Sequence, residues 1–155
     1  MDPGFVVLPD QGRLLDLGTF QAVVLAAGDQ TSGDLTVLQT QSEPAGFGPP
    51  LHLHRDAAEV FFVLEGEYLM FMDKEQHLCP PGAFVYVPRG MPHTFKVSSE
   101  GPGRKLNLFT PAAMIGFFEE LAAAEAAGTA TPSVLDEIAT RNQMDVLGPV
   151  PDNYL

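Results

Sequence analysis

The chain has 155 residues, a length that fits one compact domain with its own hydrophobic core. Its formal net charge of −12 argues against nucleic acid and anionic membranes as partners, because both would repel it. The first residues are acidic, no apolar run is long enough to span a bilayer, and the single cysteine closes no internal disulfide, so we expect a cytoplasmic protein.

Up to about residue 110 the sequence predicts strands, as in a barrel or a sandwich. Short apolar runs bounded by turn residues recur there. They are Phe5–Leu8, Phe20–Ala26, Leu35–Gln39, Val60–Leu64, Tyr68–Met72, Ala83–Val87, Thr94–Val97 and Leu106–Phe109. The run Val60–Leu64 is apolar on both faces, so we expect one face to line the barrel and the other to meet a second sheet or subunit. This pattern predicts a homodimer.

After Thr110 the sequence predicts two helices. One apolar face at helical spacing is formed by Met114, Phe117, Phe118 and Leu121. We expect this helix to be capped by Thr110, to open at Pro111 and to close at Gly128. A second helix is predicted from Thr131 and Pro132, and an extended tail from Gly148. We expect the helical segment, about 111–147, to pack against the barrel, about 1–110, within a single domain 1–155, with a lid over the barrel mouth as the alternative.

Three of the four histidines and one glutamate have the spacing of a metal site. His52 and His54 occupy alternate positions of a strand, where their rings share one face about 7 Å apart. Glu59 offers an oxygen ligand at the head of the next apolar run, and His93 offers a third nitrogen after a turn built from Pro88 and Gly90. Such a donor set leaves open positions on a divalent metal, as a catalytic metal needs. His77 lies in a polar hairpin tip, outside this site.

These residues resemble the two sequence motifs of the cupin superfamily. The first motif, G-x5-H-x-H-x4-E-x6-G, is matched by Gly46, His52, His54, Glu59 and Gly66. The second, G-x5-P-x-G-x2-H-x3-N, is matched by Gly82, Pro88, Gly90 and His93, with Val97 where the family commonly has Asn. The resemblance implies an all-β fold, the cupin double-stranded β-helix or jelly-roll barrel, here with two C-terminal α-helices packed on it.

The side chains next to the predicted ligands indicate an apolar chamber. Phe61 and Val63 share a face with Glu59, and Phe95 and Val97 share a face with His93. If these alternate residues face inward, they form a substrate pocket that suits an aromatic or otherwise carbon-rich compound. The alternative is that all four are simply barrel core.

Over most of its length the chain resembles the quercetinase-like group of small bacterial cupins. The resemblance lies in the segments around His52, Glu59 and Pro88 and in the helix Gly116–Leu121. It implies a metal-dependent dioxygenase of the quercetin 2,3-dioxygenase type that acts on a flavonol-like or other enolisable aromatic compound. Glu59 is then implied to be the catalytic residue, which accepts the proton of the substrate enol.

Two other functions stay open. The same metal would support redox-neutral chemistry, such as isomerisation, cyclisation or dehydration of a small molecule, or the protein would bind a small molecule without turning it over. Three imidazoles and a carboxylate suit iron, manganese, cobalt, nickel or zinc, so the donor set does not select the metal.

Overall fold

Eleven strands and two helices are formed by the residues that the structure, a computed structural model, describes, namely 3–98 and 100–149. The strands in chain order are β1 (Arg13–Asp16), β2 (Gln21–Ala26), β3 (Thr36–Gln41), β4 (Leu51–His54), β5 (Ala58–Glu65), β6 (Tyr68–Met72), β7 (Glu75–Cys79), β8 (Phe84–Val87), β9 (His93–Val97), β10 (Arg104–Thr110) and β11 (Met144–Gly148). The helices are α1 (Ile115–Ala127) and α2 (Pro132–Arg141).

The strands form two antiparallel sheets whose inner faces pack together. One sheet has six strands in the order β1-β2-β3-β10-β5-β8, and the other has five in the order β11-β4-β9-β6-β7. Side chains from both sheets meet in a buried cluster that includes Phe61 and Val85 from the first sheet and Tyr68 and Phe95 from the second. The predicted all-β jelly-roll architecture with two C-terminal helices is confirmed.

Seven of the eight apolar runs overlap strands, and the prediction for Phe5–Leu8 is wrong. These residues form no strand, and Val6 is 80% exposed. The chain turns directly after the run, where the Gln11 N–H donates to the Leu8 carbonyl at 3.0 Å. Within residues 3–98 and 100–149 no strand pairs with this segment, so it is not part of either sheet.

The first helix begins later than predicted. Thr110 is the last residue of β10, paired with Ala58 of β5, and therefore does not cap a helix. Helix α1 starts only after Met114, whose φ of 67° places it in the left-handed region. The predicted end at Gly128 is confirmed, as is the start of α2, where the Thr131 hydroxyl accepts from the Val134 N–H at 3.3 Å. Neither α1 nor α2 is long and apolar enough to cross a membrane.

The segment after α2 is a strand, which corrects the predicted helical segment of about 111–147. The helical part ends at Arg141, and β11 pairs antiparallel with β4 so that Met144 lies opposite His54 and Val146 opposite His52. The period-2 signal in these five residues is too short to be recognised in isolation, and the partner strand lies far away in sequence. The predicted tail beyond residue 149 lies outside the described residues.

Both helices pack against the barrel, as predicted. A core cluster joins Leu38 and Phe109 of the six-stranded sheet to Met114 and to Ala139 of α2, and Phe118 of α1 packs against it. On the opposite side of this sheet, Phe62, Phe84 and Tyr86 of β5 and β8 are exposed. This outer face carries the double-sided apolar pattern from which we predict a homodimer, and the dimer stays a prediction.

Candidate metal centre

Four buried side chains from both sheets meet at one point, and we call them the metal centre: His52, His54, Glu59 and His93. Each offers one ligand atom, and these atoms lie within 4.8 Å of one another. The histidines come from β4 and β9 of the five-stranded sheet, and the glutamate comes from β5 of the six-stranded sheet. The structure therefore brings together all four residues that the sequence predicts as ligands. His77 lies outside, on β7, with its side chain 47% exposed.

The strand geometry explains the convergence. His52 and His54 alternate with half-buried leucines along β4, so both rings point inward. His52 is the register partner of His93 across the β4–β9 pair. The turn before His93 is held against β4, because the Gly90 N–H donates to the His54 carbonyl at 2.9 Å. Gly90 has a φ of 79°, a left-handed value that glycine adopts at little cost.

Backbone carbonyls fix the orientation of two of the imidazoles. The Nδ1–H of His52 donates to the Pro50 carbonyl at 2.8 Å, and the Nδ1–H of His93 donates to the Met91 carbonyl at 2.9 Å. A carbonyl oxygen only accepts, so Nδ1 carries the proton in both rings. In the neutral rings the Nε2 lone pair is left for a metal, the arrangement commonly found around metal-binding histidines.

One oxygen of the Glu59 carboxylate lies close to a ring nitrogen of His54 and to a ring nitrogen of His93. Glu59 Oε2 lies 2.8 Å from His54 Nε2 and 2.9 Å from His93 Nε2. The contact with His54 is short but poorly directed for a hydrogen bond, and neither ring nitrogen of His54 has a hydrogen-bond partner among the described residues. Buried polar atoms ordinarily have partners. A divalent metal, which accepts imidazole nitrogen and carboxylate oxygen together, fits this donor set.

The electrostatics of the centre favour the metal-binding forms of His52 and Glu59 and the protonated form of His93. Burial lowers the pKa of His52 to about 3, and the neighbouring His93 and His54 contribute to that lowering. Burial opposes the ionisation of Glu59, but the charge of His54 and the hydrogen bond and charge of His93 outweigh it and hold the pKa of Glu59 below its ordinary value. Burial also opposes protonation of His93, but its hydrogen bond with Glu59 raises the pKa of His93 overall.

Asn107 contacts the metal centre, and the sequence did not predict this contact. Its side-chain Nδ2–H donates to Glu59 Oε1 at 2.8 Å, and the side chain is buried. The bond holds one carboxylate oxygen and leaves Oε2 for the histidines. Val97, at the position where the motif commonly has Asn, lies in the core cluster, so the amide beside the glutamate comes from β10 instead.

A cavity of about 440 Å³ adjoins the metal centre and is lined mainly by apolar side chains. Its wall includes Phe109 of β10, Phe118 and Leu121 of α1, and Leu135 of α2, so the helices both pack on the barrel and enclose the cavity. A lid movement of these helices stays a prediction.

The structure places only one of the four predicted pocket residues on the cavity wall. Phe95 lines the cavity, whereas Phe61, Val63 and Val97 are each 1% exposed and pack in the core cluster between the sheets. They face inward as the alternation predicts, but the space they face is filled by other side chains. For these three residues the barrel-core alternative describes their position.

Comparison with known proteins gives matches over the segment that holds the metal centre. Residues 40–109 match the family model described as Cupin domain. The chain is 32% identical over 95 residues to quercetin 2,3-dioxygenase of Bacillus subtilis (strain 168), a match that covers 61% of this chain and 28% of that protein. The chain spans less than half the length of the curated relatives it matches, 28% and 40%.

Solved structures share the fold at low identity. KdgF from Halomonas sp. superimposes with a TM-score of 0.62 at 18% identity, over 70% of this chain and 94% of that one. The polyketide cyclase RemF from Streptomyces resistomycificus superimposes with a TM-score of 0.59 at 17% identity, over 70% of this chain and 80% of that one. At such identities the likeness concerns the fold.

Proposed function

We propose that this chain, which carries a cupin domain over residues 40–109, is a metal-dependent dioxygenase that acts on a flavonol-like or other enolisable aromatic compound. One divalent metal is held by His52, His54, Glu59 and His93. The observation that carries the proposal is that these four ligand atoms lie within 4.8 Å of one another beside a largely apolar cavity. The named activity of the Bacillus subtilis relative supports the choice of reaction.

The cavity suits a ligand of this class. Its volume of about 440 Å³ lies within the range of roughly 300–1,000 Å³ that is common for small-molecule sites. Phe20, Phe47, Phe95 and Phe109 are among the lining residues, and aromatic rings pack favourably against them. The few polar groups on the wall are then available to fix the orientation of the substrate.

When bound, the metal would supply a Lewis-acid centre with open positions for substrate oxygen and, for a redox-active metal, for dioxygen. Glu59 accepts the proton of the substrate enol at Oε2, since its lowered pKa keeps the carboxylate ionised. Asn107 holds Oε1 at 2.8 Å, so Oε2 is the carboxylate oxygen left to accept the proton. The carbonyls of Pro50 and Met91 hold the rings of His52 and His93, and the apolar wall excludes water.

The test is oxygen consumption by protein loaded separately with iron, manganese, cobalt or nickel, with quercetin as substrate. Dissolved oxygen and the flavonol absorbance are recorded together in a sealed cell. We expect matched loss of both with at least one metal. We also expect Glu59→Ala protein, shown to retain its metal, to turn over at least about 100-fold more slowly, because a positioned base contributes about that much.

His52→Ala is the negative control, and His77→Ala is the matched positive control, because His77 lies outside the centre with its side chain 47% exposed. Loss of activity in His52→Ala but not in His77→Ala assigns turnover to the metal centre. No loss of oxygen or flavonol with any metal, or equal rates for Glu59→Ala and the parent, would contradict the proposal.

Redox-neutral catalysis is the second candidate function. It is supported by the structural likeness to RemF, a polyketide cyclase, and by the same base, since Glu59 can move a proton whether or not oxygen takes part. Turnover of an enolisable substrate in the absence of oxygen would favour an isomerase, cyclase or dehydratase. Saturable binding without any product would favour a non-catalytic binding protein.

A further inference from the structure

A second buried polar group lies on the cavity wall, apart from the metal centre. Lys105 Nζ donates to Glu43 Oε1 at 2.9 Å, and the Tyr68 hydroxyl donates to the same oxygen at 2.8 Å. The Thr40 hydroxyl is a third donor to Glu43 Oε1. The side chains of Lys105 and Glu43 are 2% and 0% exposed. We call Glu43 and Lys105 the buried pair.

One oxygen of the buried pair lacks a partner. Three donors converge on Glu43 Oε1, whereas Glu43 Oε2 is buried and has no hydrogen-bond partner within residues 3–98 and 100–149. Burial of an ion pair is costly, and an unpaired carboxylate oxygen adds to that cost. A pair retained only for stability would be expected to have both oxygens satisfied. Because Glu43 and Lys105 line the cavity, a ligand in the cavity can supply the missing donor.

The buried pair and the metal centre share one strand face. Lys105 and Asn107 are alternate residues of β10, so their side chains point the same way about 7 Å apart along the strand. Asn107 bonds Glu59 of the metal centre, and Lys105 bonds Glu43. Phe95, which also lines the cavity, places its ring 4.3 Å from Lys105 Nζ. The cavity thus has two polar points and an aromatic wall.

The charges of Glu43 and Lys105 determine which kind of chemical group can bind at the buried pair. The free atom is a carboxylate oxygen, which accepts hydrogen bonds and repels carboxylates and phosphates. The charge of Lys105 is already balanced by Glu43. A neutral hydroxyl that donates a proton therefore fits better than an anion, and the aromatic wall favours a hydroxyl carried on a ring.

We infer that the buried pair is a substrate-anchoring site, at which Glu43 Oε2 accepts a hydrogen bond from a phenolic hydroxyl remote from the metal-binding oxygens of the substrate. The inference rests on the proposed function and narrows its substrate class. The ligand is an aromatic compound with a chelating keto-enol group and a separate hydroxyl donor. Glu43 and Lys105 act here in binding and selectivity.

The test compares ligands that differ only in this donor. Protein loaded with zinc, a metal without redox chemistry, is titrated in the absence of oxygen with 3-hydroxyflavone carrying hydroxyl or fluorine at position 7 or 4′, and binding is followed by absorbance. Fluorine is close in size to hydroxyl but donates no hydrogen bond. We expect hydroxyl to be preferred by about tenfold or more at one position at least, as a hydrogen bond to a buried charge gives.

The variant Glu43→Met/Lys105→Met removes both charges together and should reduce this preference to within about threefold. The matched control Glu65→Met/Arg104→Met removes an exposed pair whose atoms lie 2.8 Å apart on the neighbouring strands β5 and β10, and it should keep the preference. Glu43→Gln, which keeps the side-chain shape, is the second variant in case the double substitution does not fold. It should lower the preference at least about threefold.

Any of three results would overturn the assignment. The parent could bind the hydroxyl and fluorine compounds equally well, the preference for hydroxyl could survive in the folded Glu43 variants, or none of these flavonols could bind. Failure of the proposed function is read separately. His52→Ala should weaken every flavonol to a similar extent, whereas the buried-pair variants change only the ratio between ligands. Equal affinities for hydroxyl and fluorine in the parent protein, together with intact oxygen consumption, reject the anchoring site alone. A hydroxyl preference without turnover rejects the dioxygenase alone.

Discussion

The side chain of His52 shows how burial prepares a residue for metal binding. Its pKa is lowered to about 3 by burial and by His93 and His54, whereas a histidine in the unfolded chain titrates near 6.5. The ring is therefore neutral in the folded protein throughout the physiological range. A metal has no proton to displace from this ligand, in contrast to His93, whose pKa is raised.

This difference in pKa predicts a pH dependence of stability in the metal-free protein. Between about pH 6.5 and pH 4.5 the unfolded chain binds a proton at residue 52 and the folded protein does not, so the free energy of unfolding should decrease as the pH falls. The slope should approach about 1.4 kcal/mol per pH unit. The raised pKa of His93 opposes this decrease near the upper end of the range, and the lowered pKa of Glu59 adds to it near the lower end. Urea unfolding at several pH values measures the slope.

His52→Gln should lower the slope of the free energy of unfolding against pH by about 1.4 kcal/mol per pH unit, the contribution of one proton. His77→Gln is the matched control, because the side chain of His77 is exposed. An unchanged slope in His52→Gln would contradict the assignment of the pH dependence to this residue.

The metal ligands could be predicted from sequence and the other polar residues of the cavity could not. The ligands have fixed spacings along strands, which a motif records. On β10 the leucines at 106 and 108 alternate with Lys105 and Asn107, and burial rules would place the leucines inside. The structure has the opposite orientation, with Lys105 and Asn107 buried and both leucines half-buried on the other face. Their partners, Glu43 and Glu59, lie far away in sequence and make the inward orientation possible.

At the scale of elements, the turn between β8 and β9 sets the position of His93. Gly90 has a φ of 79°, and a Cβ added there would meet nothing within 4 Å. Gly90→Ala should therefore lower stability by about 1–2 kcal/mol through backbone strain alone. We also expect weaker metal binding, because the Gly90 N–H bonds the strand that carries His54. Denaturant unfolding and metal titration measure the two effects.

Gly4→Ala is the matched control, because Gly4 also has open space around its α-carbon but no left-handed φ. If Gly90→Ala and Gly4→Ala unfold at the same denaturant concentration, the turn does not require a left-handed residue.

Two of the strands that sequence reasoning missed, β1 and β11, are short and lie at sheet edges. β1 has four residues, three of them exposed, and β11 has five residues that follow directly on α2. Neither has enough alternation to stand out, and their partners β2 and β4 supply the pairing. The predicted start of α1 is too early because Thr110 and Pro111 have the chemistry of a helix start while the backbone of Thr110 is engaged in β10.

For the whole molecule, the metal centre connects the two sheets. Three ligands come from the five-stranded sheet and one from the six-stranded sheet, so bound metal adds a link that the unfolded chain lacks. At a free metal concentration 100 times the dissociation constant this should add about 2.7 kcal/mol to the free energy of unfolding. For a chain of this length the midpoint of thermal unfolding should rise by about 5–10 °C.

Calorimetry before and after chelation tests this expectation. His52→Ala protein should show little change on chelation, whereas His77→Ala should behave like the parent. A midpoint that does not depend on metal in the parent would contradict a site that bridges the sheets.

The helices that enclose the cavity lie outside the stretch that matches the cupin family model. That match ends at residue 109, whereas Phe118, Leu121 and Leu135 belong to the segment that follows. Part of the cavity wall therefore comes from a segment of the sequence that follows the one holding the four predicted metal ligands. Substitutions in α1 and α2 can change the shape of the cavity without altering a predicted metal ligand, so two chains with the same motifs can have differently shaped cavities.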